Sequence, residues 1–223
     1  MEASERAVYP AGNLFLDAPH GRLEAIIKAP SAAPSAAALV LHPHPLHGGT
    51  MHNKVVFRTA RGLSEAGAVT LRLNFRGTGQ STGTHDYARG EQDDARAGLD
   101  YLTTNYPSLP LILAGFSFGA RVGLEVGVTD ERVAALVGVG TPVNMYDFTF
   151  LRACRKPLLL VHGEHDEFGD PERLRALAAQ LPAAARVSVQ VIPDAGHFFD
   201  QQLDELTRAV RDWTTALLDE LTG

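Results

Sequence analysis

An α/β fold is what this sequence predicts: a mostly parallel central sheet of about eight strands, helices on both faces and no large cap. Three observations carry that expectation. Short apolar runs alternate with amphipathic stretches of helical length along most of the chain. Several of the runs, Ala36–Leu41 above all, are apolar without polar alternation, as strands covered on both faces must be. Residues able to do chemistry recur just after these runs end. At 223 residues the chain is long enough for one domain with a substantial core, taken here as residues 1–223.

In chain order, residues 13–18 and 22–28 flank Pro19-His20-Gly21, a turn signal, and read as an antiparallel hairpin. Ala36–Leu41 is a buried strand, followed by the aperiodic loop His42-Pro43-His44-Pro45-Leu46-His47-Gly48-Gly49. A helical pattern from Asn53 carries Val55, Val56, Ala60 and Leu63 and stops at Gly67. Val69–Leu73 is a strand, Asn74–Gly83 a Gly/Ser/Thr-rich loop, and 90–104 a helix with acidic residues at its start, where the dipole favours them. After the strand that ends near Leu113, strands are expected at 133–139, 157–161 and 187–192, with helices at 171–180 and 199–221. Only about sixteen residues, 141–156, separate two of these strands, too few for a cap.

The centre of the pattern is Leu111-Ile112-Leu113-Ala114-Gly115-Phe116-Ser117-Phe118-Gly119. A strand, a sharp turn and a small-residue helix are the context in which G-x-S-x-G becomes a nucleophile elbow. Strand and helix nearly touch at such a turn, so positions 115 and 119 must be small, and both are glycine.

Ligands sit beyond the carboxyl ends of strands in open parallel sheets. Ser117 follows one strand, His162-Gly163-Glu164-His165-Asp166 a second, and Pro193-Asp194-Ala195-Gly196-His197 a third. Serine, carboxylate and histidine therefore reach one edge in the order expected of this sheet type. A serine hydroxyl needs a base to become a nucleophile. His197 is an imidazole, the side chain best matched to neutral pH, and Asp166 holds its other nitrogen. Asp147 is the alternative acid, because its loop reaches the same edge.

These motifs resemble the α/β-hydrolases, in particular the small lidless bacterial esterases and dienelactone-hydrolase-like members. The likeness rests on Leu41-His42-Pro43-His44-Pro45 with Gly48-Gly49, Asn74-Phe75-Arg76-Gly77, Gly115-Phe116-Ser117-Phe118-Gly119, Gly163-Glu164-His165-Asp166 and Gly196-His197-Phe198. It implies an oxyanion hole made by the Phe118 amide and a second amide from the loop after Leu41. Pro43 and Pro45 have no N–H, which leaves His44 or Leu46, and the family pattern favours His44. Leu46, Tyr146, Phe168 and Phe198 are the candidate substrate-binding side chains.

The expected activity is hydrolysis of short-chain carboxylic esters through an acyl-enzyme. Thioesters, lactones and peptides share the machinery, and a ligand-binding protein on the same scaffold is the non-enzymatic alternative. A net charge of −6 with no basic run argues against nucleic acid and anionic membranes. No apolar run reaches membrane-spanning length and the start lacks a signal-peptide pattern, so a cytoplasmic location is expected. No cofactor is expected. His42, His44, His47 and His52 have metal-like spacing, but no aspartate accompanies them and two prolines stiffen the loop, so no metal is expected either. Cys154, alone, cannot form an internal disulfide. The hairpin and the last helix are the candidate faces of a homodimer.

Overall fold

The computed structural model describes residues 12–222. One eight-stranded sheet runs through them in the order β1-β2-β4-β3-β5-β6-β7-β8. Strands β1 (Gly12–Ala18) and β2 (Gly21–Lys28) form the expected hairpin, and β2 pairs antiparallel with β4 (Ala68–Leu73). From β4 onward every pairing is parallel, through β3 (Ala36–Leu41), β5 (Leu111–Phe116), β6 (Val133–Val139), β7 (Leu158–Gly163) and β8 (Val187–Ile192).

The two-residue period of a strand explains why β3, β5 and β7 look uniformly apolar. Ala36, Ala38 and Val40 face one side of the sheet, with Ile112, Ala114, Phe116, Leu159 and Val161. Against them pack α1 (Lys54–Glu65) and α5 (Leu203–Thr222) through Val55, Val56, Leu63, Leu206 and Val210. Ala37, Leu39, Leu41, Leu111, Leu113 and Leu158 face the other side, under α2 (Gly90–Asn105), α3 (Phe118–Thr129) and α4 (Pro171–Ala178). Each of these strands buries both faces, so neither face can show a polar stripe.

Two boundaries depart from the sequence reading: β5 runs on to Phe116, past its expected end near Leu113, and the last helix starts late. The last helix begins at Leu203, not near 199. Phe199 takes φ +52 and its amide donates to the Gly196 carbonyl, while its side chain is buried in the core. The chain has to turn here to present His197, and a left-handed residue ends any helical run.

Between β6 and β7 there is one short 3-10 turn, Thr149–Ala153, and no inserted subdomain. Among the described residues, no helix is long and apolar enough to cross a membrane.

Candidate active site

Three strand ends build the site. Ser117 sits between β5 and α3 with φ +54 and ψ −117, a conformation L-residues rarely adopt. Two contacts hold it there. Its amide donates to Val139 O at the end of β6 (2.9 Å), and its carbonyl accepts from Arg121 N–H in α3 (3.1 Å). The approach of strand and helix is as tight as the motif requires. A Cβ on Gly115 would lie 2.2 Å from Gly119 O, and one on Gly119 would lie 2.5 Å from Leu41 O.

The turns after β7 and β8 are tied together before they reach the serine. Glu164 N–H donates to Ile192 O (3.0 Å) and His165 N–H to Ala195 O (2.8 Å). That docking brings Asp166 and His197 into register although thirty-one positions separate them. His197 Nδ1 lies 2.8 and 2.9 Å from the two Asp166 oxygens, and its Nε2 lies 3.0 Å from Ser117 Oγ. Asp166 also accepts from Phe168 N–H (2.9 Å). Both partners are donors to a carboxylate, so Nδ1 carries the hydrogen and Nε2 is left to accept from the serine. The rings of Phe116, Phe168 and Phe198 box the imidazole at 4.6–5.2 Å between centroids. Asp147, the alternative acid, is exposed, and both of its oxygens are occupied by Thr149.

A cavity of about 180 Å³ opens at Ser117, lined among others by His44, Phe118, Met145, Tyr146, Phe168 and Phe198. Of the side chains expected there, Leu46 is missing: it points outward and is 66% exposed. Its neighbours His47, Gly48 and Gly49 line the cavity instead, together with Asn53. The loop folds back on itself, with His47 and Gly49 N–H both donating to His44 O, and this swings residue 46 to the outside.

The two candidate second donors also separate. Leu46 N–H donates to the Nδ1 of His44 (3.2 Å). Burial first, then the neighbouring His47 and His85 rings, push the His44 imidazole below its ordinary value, so it is neutral and able to accept. The amides of His44 and Phe118 donate to no acceptor among the described residues.

A profile described as an alpha/beta hydrolase domain matches residues 36–217. The chain belongs to this α/β-hydrolase family. The hydrolase is 36% identical to a solved α/β serine hydrolase homologue from Coxiella burnetii, with a TM-score of 0.85 over 93% of this chain and 99% of that one. It is 34% identical to a lidless α/β serine hydrolase from Xanthomonas campestris, with a TM-score of 0.83 over 93% and 98% of the two chains. An uncharacterised Rickettsia prowazekii protein is 33% identical over 207 residues, 90% of this chain and 87% of that one. The likeness to lidless structures agrees with the short β6–β7 connection.

The histidines of the loop after β3 are expected from the sequence to shape that loop and its hydrogen bonds, and in this hydrolase His42 does so. It is fully buried between β3 and the loop after β4. Phe75 N–H donates to its Nε2 (3.0 Å), so its Nδ1–H donates to Pro43 O (2.6 Å), and the imidazole pins the start of the candidate oxyanion loop. Burial lowers its pKa from 6.5 to about 4. The unfolded chain binds this proton more readily than the folded one between those two values, so stability rises with pH across that window. The hydrolase is therefore expected to lose about 3 kcal/mol from this group as pH falls from 6.5 to 4. Urea melts at pH 7 and pH 4.5 check this. His42→Gln, which cannot ionise, should flatten the dependence.

Arg76, in the Gly/Ser/Thr-rich loop after β4, is tied into the fold. It donates through backbone and guanidinium to Asp94, which has no exposed side-chain surface. A Cβ on Gly90 would lie 1.8 Å from the guanidinium, so any larger residue there would push the Arg76 side chain off Asp94.

Proposed function

We propose that this hydrolase is a serine esterase that cleaves short-chain carboxylic esters through an acyl-enzyme. The observation that carries the reading is the unbroken hydrogen-bonded line from Ser117 Oγ through His197 to Asp166, opening into a small, largely apolar cavity.

The chemistry follows from the atoms. Ser117 Oγ attacks the ester carbonyl carbon while His197 Nε2 takes its proton. Asp166 keeps the ring oriented and stabilises the imidazolium as it forms. The carbonyl oxygen, now anionic, is met by the free amides of Phe118 and His44, each worth roughly 2.7–4 kcal/mol in the transition state. His197 then protonates the departing alcohol. A water deprotonated by His197 attacks the acyl carbon and Ser117 is released. Thioesters, lactones and peptides would follow the same steps, and the cavity's size is the argument for small esters among them.

At about 180 Å³ the cavity is below the ~300–1,000 Å³ of sites that hold drug-sized ligands. Tyr146, Phe168 and Phe198 would close it around a short acyl chain. On p-nitrophenyl esters from acetate to laurate, kcat/KM is expected to peak at acetate or butyrate. By octanoate it should have fallen at least about tenfold, since a chain that overfills so small a cavity must displace its walls, at a cost of about 1–3 kcal/mol. A flat profile, or an optimum at laurate, would show that the acyl chain lies elsewhere. No hydrolysis of any ester would defeat the reading itself.

A further inference from the structure

Against the candidate oxyanion loop, beside the His44 ring, lies a second imidazole–carboxylate pair. His85 is brought in by the connection between β4 and α2, and Glu91 stands in the first turn of α2. The Glu91 side chain has no exposed surface and that of His85 is 5% exposed. His85 Nδ1 lies 2.8 Å from Glu91 Oε1, a close contact and not an aligned hydrogen bond, since neither ring nitrogen has a hydrogen-bond partner among the described residues. Asp86 N–H donates to the same Glu91 oxygen (2.8 Å), and Asp86 in turn accepts from Gly90 N–H (3.1 Å). A buried carboxylate is costly unless something offsets its charge. Here the helix N-terminus, the Asp86 amide, His85 and the nearby Arg76 guanidinium surround it.

The free side of the His85 ring is what gives the pair a use. Its centroid lies 4.8 Å from the His44 ring and 5.5 Å from the Phe118 ring, and those two rings lie 4.9 Å from each other. The three rings form a closed triangle. Two of its corners are the residues whose amides are free at the cavity. The third corner is immobilised from behind by Glu91. The loop that delivers it is under strain as well: Tyr87 and Ala88 take φ +50 and +69 in succession, a cost of about 1–3 kcal/mol per residue.

We propose that His85, anchored by Glu91, is a positioning residue for the oxyanion hole, setting the spacing between the Phe118 and His44 amides. This rests on the esterase reading for the role of those amides. It adds that their separation is held by a residue that never touches substrate. His44 and Phe118 follow β3 and β5, which pair directly as far as Leu41 and Gly115; beyond that last pair, nothing covalent within seventy residues fixes the gap between the two amides. A flat ring wedged against both does.

The test is the rate at which a fluorophosphonate labels Ser117, read beside ester hydrolysis. The phosphoryl oxygen of the probe needs the same two amides as the ester oxyanion, whatever the natural substrate is. His85→Ala, and His85→Leu as a variant that leaves no hole, are expected to slow labelling roughly tenfold or more. They should lower kcat on p-nitrophenyl acetate by a similar factor, with KM changed by less than about threefold. His85→Phe keeps a flat ring and is expected to label within about threefold of wild type. The proposal is overturned if Ala and Leu label at the wild-type rate. It is also overturned if the loss appears in KM and melting temperature alone, or if Phe is as slow as Leu. A wild type that labels but cleaves no ester defeats the substrate assignment and leaves the labelling comparison to decide on His85. A wild type that does neither defeats both.

Discussion

Replacing Ser117 with alanine is expected to lower kcat on p-nitrophenyl acetate by around a million-fold. Among the described residues, only this Oγ stands within hydrogen-bond reach of His197 Nε2, at 3.0 Å, and no other hydroxyl lines the cavity except that of Tyr146. Removing it takes away the nucleophile and leaves the base with nothing to accept from. The residual rate would come from the oxyanion amides and from binding. The fold should not register the change. Alanine carries the same Cβ into the same positive φ, and Ser117 makes no side-chain cap to α3. Circular-dichroism melts of the two proteins are expected to superimpose. A variant that keeps activity within tenfold of wild type would place the nucleophile elsewhere.

Asp166→Asn should be the second-largest effect, about 10⁴-fold in kcat. The Asp166 carboxylate accepts from two donors at once, His197 Nδ1–H and Phe168 N–H. A carboxamide keeps one acceptor oxygen and replaces the other, 2.8 Å from His197 Nδ1, with an NH₂ donor. If its oxygen stays with Phe168, its NH₂ faces the histidine. Nδ1 must then become an acceptor, and the hydrogen moves to Nε2, where it points at the serine and blocks proton transfer. Shape is preserved and the tautomer is wrong. Asp147→Asn, measured alongside, should change kcat by less than about twofold, because that carboxylate is exposed and engaged with Thr149. The reverse result would exchange the two aspartates.

What could be read from the sequence divides along a physical line. Features written in period or in local steric demand were legible. The alternation within β3 and β5 is hidden only because both faces are buried, and the G-x-S-x-G spacing states directly that strand and helix will touch. The same holds for the ends of β7 and β8, where loop residues follow apolar runs. Features made by one side chain meeting another across the chain were not. Leu46 looked like a pocket residue because its loop borders the site, but the backbone hydrogen bonds that turn it outward involve no distinctive residue type. His42 looked like one of several loop histidines, and only its burial shows that it pins the loop to Phe75. His85 and Glu91 carry no periodic signal whatever. The one hint was a histidine and a glutamate six positions apart around a helix start, which any solvated loop can show.

One feature of the sheet bears on how the enzyme would fail under stress. The strand β8 is at the edge, paired on one side only, and all of it but Ile192 is half-exposed. The nucleophile, by contrast, hangs from β5 in the fully buried interior. The candidate base therefore follows an edge strand, which opens at a lower free energy than the interior strand from which the nucleophile hangs. Brief detachment of β8 would carry His197 away from Ser117 while the remaining strands stayed paired. Catalytic competence would then report on a sub-global fluctuation, and it would be lost on warming before the molecule as a whole unfolds.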